Sequence, residues 1–168
     1  MSAPLVVVVG PPAAGKTRVS KRLAKALGVG CVDTDALVVS QWGPIPEIFA
    51  THGESFFREK ERLAIIEALG TSGVVALGGG AVTNAQTRED LQDHRVALIT
   101  ISPEAVAPRL DNDKRPLLKD GLESWKALVA SRADYYDSVA TRKFDASHQT
   151  VDAVAEQILH WVREDAGL

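Results

Sequence analysis

Residues 5–17 read Leu5-Val6-Val7-Val8-Val9-Gly10-Pro11-Pro12-Ala13-Ala14-Gly15-Lys16-Thr17, an apolar β-branched run that leads straight into the pattern G-x-x-x-x-G-K-[ST]. A short unbroken run of this kind reads as a strand buried on both faces. Beyond the loop, Val19, Leu23 and Ala26 recur at i, i+4 and i+7, and Gly28 follows as a C-cap, so residues 17–27 read as the helix that the loop opens. Strand, glycine-rich loop and helix in that order make a P-loop. Backbone N–H groups wrap the α/β-phosphates, the lysine ammonium reaches the β/γ-phosphates, and the hydroxyl after it faces Mg²⁺. The chain therefore handles a nucleoside triphosphate.

Moving outward, a short strand around Cys31-Val32-Asp33 completes a βαβ unit with parallel pairing. Gly43-Pro44 interrupts the chain before a short helix at residues 45–50, and a longer helix follows from Glu54 to near Gly70, with Phe56, Leu63 and Ile66 marking its expected buried face. Val74 to Leu77 and Val96 to Ile101 are further strand candidates, and Phe144-Asp145-Ala146 is a fifth. Residues 103–110 and 121–136 read as helices, and Val151, Val154, Ile158, Trp161 and Val162 form the stripe of a closing helix. Strands alternating with helices throughout imply an α/β protein: a three-layer α/β/α P-loop NTPase fold around a central parallel five-stranded sheet. Its ligands should gather at the carboxyl ends of the strands.

Composition bounds the rest. At 168 residues and 45% hydrophobic, the chain suffices for one domain, 1–168, with its own core. The balance of 19 Lys+Arg against 22 Asp+Glu gives no general attraction to nucleic acid or an anionic membrane. Cys31 stands alone, which excludes an internal disulfide and suits a small buried hydrophobe, and the histidines lack metal-ligand spacing, so zinc is not indicated. No basic, apolar leader or membrane-length run is present, and the expectation is a soluble, cytoplasmic monomer.

The strand ends carry the candidate chemistry. Asp33 and Asp35 stand at the end of the second strand, spaced to divide phosphoryl-transfer duties between holding hydrated Mg²⁺ and accepting a proton from an acceptor hydroxyl. The plain alternative is that Asp35 caps a helix beginning at Ala36. Gly78-Gly79-Gly80 ends the third strand, either to let backbone approach a ligand closely or as a tight turn. Arg58 and Glu61, at i and i+3, share a helix face, where the carboxylate can orient the guanidinium or simply form a solvated pair.

The ordered set GPPAAGKT at 10–17, DTD at 33–35, GESFFREKE at 53–61, LGGGAV at 77–82, RPLL at 115–118 and SRADYY at 131–136 resembles the shikimate kinase family across nearly the whole chain. The resemblance implies phosphorylation of the 3-hydroxyl of shikimate by ATP with Mg²⁺. It implies that Ala13, Ala14, Gly15, Lys16 and Thr17 bind the nucleotide, that Thr17 coordinates the metal, and that Asp33 holds it through water. Asp35 would meet the acceptor hydroxyls as base, and Arg58 and Arg132 would grip the carboxylate, with Glu61 holding Arg58 in place. Backbone at Gly79 and Gly80 would line the acceptor pocket. Arg115, on a mobile lid at 111–120, would reach the transferring phosphate, and Arg109 would pack on adenine unless it is an exposed helix charge. The alternatives are a gluconate kinase or related small-metabolite kinase, and a non-catalytic nucleotide-binding module. One departure stands out: the family's loop usually carries glycine where this chain has Ala13. If that position needs positive φ, alanine costs on the order of 1 kcal/mol there.

Overall fold

The computed structural model describes residues 2–110 and 121–168. Strands β1 (Val6–Val9), β2 (Gly30–Asp33), β3 (Gly73–Ala76), β4 (Val96–Thr100) and β5 (Arg142–Asp145) form one sheet in the order β2-β3-β1-β4-β5, every pair parallel. Between them run α1 (Lys16–Leu27), α2 (Thr34–Trp42), α3 (Ile45–His52), α4 (Glu54–Leu69), α5 (Ala85–Leu91), α6 (Pro103–Leu110), α7 (Leu122–Val139) and α8 (Val151–Ala166). This is the expected five-stranded α/β/α architecture. The lid expected at 111–120, with Arg115, lies outside the described residues.

The valine run explains the layering. Side chains alternate across a strand, so Val6 and Val8 enter one core with Val19 and Leu23 of α1 and Ile158 and Trp161 of α8. Val7 and Val9 enter the opposite core with Ile65 and Ala68 of α4, Leu91 of α5 and Val139 of α7. All four valines are essentially inaccessible, as a central parallel strand requires. A third cluster of Val38, Ile48, Phe57 and Ala64 ties α2, α3 and α4 together.

The register sets the height at which each strand delivers its loop. Val8 and Asp33 both align with Ala76, so β1, β2 and β3 end level. The P-loop, the start of α2 and the glycine run leave the sheet side by side.

Four expectations are corrected. The buried stripe of α4 is Phe57, Glu61, Ala64, Ile65 and Ala68, while Leu63 and Ile66 are 57% and 52% exposed. A charged residue, Glu61, sits on the inward face because the partly buried Arg58 pairs with it there, which disguises the stripe. The segment between 80 and 96, for which no element is predicted, holds a 3₁₀ turn at Ala81–Thr83 and α5, whose polar sequence AQTREDL shows no periodicity and whose first turn is capped by Asn84 Oδ1 accepting from Thr87 N at 3.0 Å. The fifth strand begins at Arg142 rather than Phe144, as an edge strand with only Phe144 buried. Cys31 is half-buried because β2 is the opposite edge.

These packing assignments predict different costs for neighbouring isoleucines. Ile65→Ala should destabilise the fold by about 2–5 kcal/mol and Ile66→Ala by less than about 0.5 kcal/mol, read from urea unfolding midpoints.

Candidate active site

The P-loop is held by its carbonyls. Lys16 Nζ donates to the Gly10 and Pro11 oxygens, each at 2.8 Å. Trp125 Nε1 donates to the Pro12 oxygen at 2.9 Å, and Arg109 Nη1 to the Ala13 oxygen at 2.9 Å. Four successive carbonyls thus accept from side chains. Gly15 is the N-cap of α1 at φ 92°, with no side-chain cap and no acidic residue in the first turn. Among the described residues no side chain caps the positive end of this helix, which faces the loop, the arrangement that receives a phosphate. Ala13 adopts φ 65°, the one non-glycine positive φ among the described residues, so this alanine carries the left-handed strain that the sequence leaves conditional.

Asp33 rather than Asp35 caps α2, which begins at Thr34 and not at Ala36: Asp33 Oδ1 accepts from Ala36 N at 3.1 Å. Its other oxygen, Oδ2, accepts from Thr17 Oγ1 at 2.6 Å. The end of β2 and the start of α1 are thereby joined through two hard oxygen donors, the ligand type a Mg²⁺ site needs. Asp35 is released from capping and lines the cleft.

The three glycines answer three different neighbours. A methyl on Gly78 would collide with the Asp35 carboxylate, one on Gly79 would meet the Pro12 ring at 3.1 Å, and one on Gly80 would collide with the Arg58 guanidinium. None of them has positive φ. Room for neighbouring side chains, rather than turn geometry, is what glycine supplies there. Gly78 N donates to Thr34 Oγ1 at 3.2 Å, and Thr34 is fully buried.

Arg58 lies on Gly80 and is held from its own helix: Nη1 donates to Glu61 Oε1 at 2.9 Å and Nε to Glu54 Oε2 at 3.3 Å. Burial works against its charge, but the two glutamates outweigh that and raise its pKa. Glu61 is 3% exposed, and burial pushes its carboxyl up despite the opposing pull of Arg58. The solvated-pair alternative therefore does not describe this contact. Arg132, on α7, is 5% exposed.

A cleft of about 520 Å³ gathers these groups: P-loop residues Ala13, Gly15, Lys16 and Thr17, then Asp33, Asp35, Arg58, Gly79, Gly80, Arg109 and Arg132. Ala14 is instead buried beneath the loop in the core of α1 and α8. Arg115 lies outside the described residues. Sequence reasoning passed over Thr34, Trp125 and Tyr136, and the apolar lining from Ile45, Phe49, Phe57 and Leu128. Thr34 could have been noticed between two singled-out aspartates; nothing local marks Trp125, whose contact is 113 residues away.

A family model described as Shikimate kinase matches residues 12–163. The chain belongs to the shikimate kinase family. Family members are phosphotransferases that use ATP as co-substrate. A shikimate kinase of Mycobacterium avium is 44% identical over 162 residues, covering 94% of this chain and 92% of the relative. One of Corynebacterium efficiens is 38% identical over 169 residues, 98% of this chain and 100% of the relative. Among solved structures, a shikimate kinase from Acinetobacter baumannii in complex with shikimate superposes with a TM-score of 0.91 at 31% identity, covering 98% of this chain and 95% of that one.

Two outcomes follow from the strain and burial at this site. Ala13→Gly should raise stability by a few tenths to about 1 kcal/mol in denaturant titration, since relief of about 1–2 kcal/mol of left-handed strain exceeds the entropy glycine adds to the unfolded chain. For Glu61, a folded-state pKa above the ordinary 4.5 means its stabilising balance is complete below that value and is lost as pH rises through the raised one. The melting temperature of the unmutated protein should therefore fall relative to Glu61→Gln as pH rises above the ordinary 4.5; parallel curves would contradict this.

Proposed function

We propose that this chain transfers the γ-phosphoryl group of ATP to the 3-hydroxyl of shikimate, giving shikimate 3-phosphate and ADP, with Asp35 as the base. The observation that carries the reading is the single cleft lined at once by the phosphate loop, a carboxylate and two guanidiniums set on separate helices. A planar fork pairs bidentately with a carboxylate, and two of them suit a small hydroxy acid.

Each residue then has a task that its surroundings support. Lys16 and the start of α1 hold the β- and γ-phosphates. Arg109, whose guanidinium already rests on the Ala13 carbonyl at 2.9 Å, borders the nucleotide and packs on adenine. Arg58 and Arg132 hold the acceptor carboxylate, and Gly79 and Gly80 line its pocket, their lack of side chains leaving it open. The acceptor hydroxyl attacks phosphorus, its proton passes to Asp35, and ADP leaves; catalysis lies in positioning and charge neutralisation. Thr17 and Asp33 would hold Mg²⁺, which supplies charge neutralisation at the phosphate oxygens. Arg115 would add its charge at the transferring phosphate from the lid at 111–120. The reading is of a cytoplasmic monomer acting on these two small molecules, without a nucleic-acid or membrane partner.

A coupled ADP-release assay with shikimate and gluconate side by side tests it. Turnover should require shikimate. Asp35→Asn should lower kcat by about 10²–10⁴-fold with ATP binding retained. Arg132→Ala should raise the shikimate KM by at least about tenfold. Absence of shikimate-dependent ADP release, or preference for gluconate, would sink the proposal.

A further inference from the structure

Arg132 and Tyr136 stand one turn apart on α7, and both are buried, at 5% and 4% exposed. The Tyr136 hydroxyl donates to the Gly79 carbonyl at 2.5 Å. Gly79 lines the cleft beside Arg132 and abuts the Pro12 ring of the P-loop. The same helix reaches Pro12 again through Trp125 Nε1, which donates to its carbonyl at 2.9 Å. Residues 125, 132 and 136 are spaced by seven and four, so one stripe of α7 carries the arginine and the two hydrogen bonds that hold the backbone on either side of it.

Phenylalanine would fill the same seat without the desolvation cost of a buried hydroxyl, so the hydroxyl needs a polar task. With its proton committed to Gly79, the oxygen has only lone pairs to offer. The residue four positions back on its face is a guanidinium, which can only donate. The charge of Arg132 also opposes the upward push that burial gives the Tyr136 pKa.

We propose that Tyr136 is a positioning residue for acceptor binding: its oxygen orients the Arg132 guanidinium toward the acceptor carboxylate while its proton pins the Gly79 peptide against the P-loop. The proposal rests on the reading of Arg132 as a carboxylate clamp.

A double-mutant cycle on shikimate KM separates the two. Tyr136→Phe should raise the shikimate KM about fivefold to thirtyfold, with the ATP KM changed less than about twofold and the melting temperature close to that of the parent. In an Arg132→Ala background the same substitution should change shikimate KM several-fold less than in the parent, because the group it orients is gone and only the Gly79 hydrogen bond remains to be lost. Equal fold-changes in both backgrounds would mark the tyrosine as merely structural and overturn the proposal. An unchanged KM for Tyr136→Phe beside a raised KM for Arg132→Ala would overturn it while leaving the clamp intact. An unchanged KM for Arg132→Ala would overturn both. If Tyr136→Phe melted below the assay temperature, Tyr136→Met, which refills the seat without a hydroxyl, takes its place in the cycle.

Discussion

Parallel pairing of β1 between β3 and β4, in a register that levels three strand ends, is the constraint on which the site depends. Val8 and Asp33 share Ala76 as partner, so the P-loop, Asp33 and the glycine run emerge at one height. Short polar links then lock the three exits together. Thr17 reaches Asp33, Thr34 receives the Gly78 N–H, and Gly79 packs on Pro12. A one-residue slip of any of these strands would exchange its faces and separate those partners at once.

On this frame the protein tolerates features that a core normally excludes. Glu61 and Arg132 are buried ionisable groups, and Ala13 holds a backbone conformation suited to glycine. Buried charges are expensive unless paired and hydrogen-bonded. Here the Glu61 carboxylate holds the Arg58 guanidinium at 2.9 Å, so the same burial that costs stability fixes a cation in place before a ligand arrives. Such preorganisation lowers the reorganisation required at binding and is where a phosphoryl-transfer enzyme gains most. The P-loop follows the same logic. Its carbonyls are occupied by Lys16, Trp125 and Arg109, which leaves the helix end facing the phosphate position.

Much of this was legible where function and local pattern coincide. The valine run, the P-loop and the helix after it are read directly because a buried central strand must be apolar throughout and the loop's chemistry demands its residue types. The glycine run announces a close approach but not its three neighbours, since they come from α2, the P-loop and α4. The inward face of α4 is misread from apolar residues because Glu61, counted as polar, belongs to the buried stripe. Asp33 and Asp35 exchange the capping role because α2 starts earlier than Ala36. Helix α5 has no periodicity to find, and its seven residues depend on a cap and on packing against α7 and the Ala81–Thr83 turn.

The amino-acid sequence by itself determined the fold class and the family, because strand burial, the glycine-loop pattern and motif order are local properties written in consecutive residues. Only the tertiary structure decided that Asp33 rather than Asp35 caps α2, that Ala13 is strained, and that α7 brings Tyr136 and Trp125 against two loops far away in the chain. Those outcomes depend on strand register and helix rotation, which place side chains within hydrogen-bonding reach regardless of their separation in sequence.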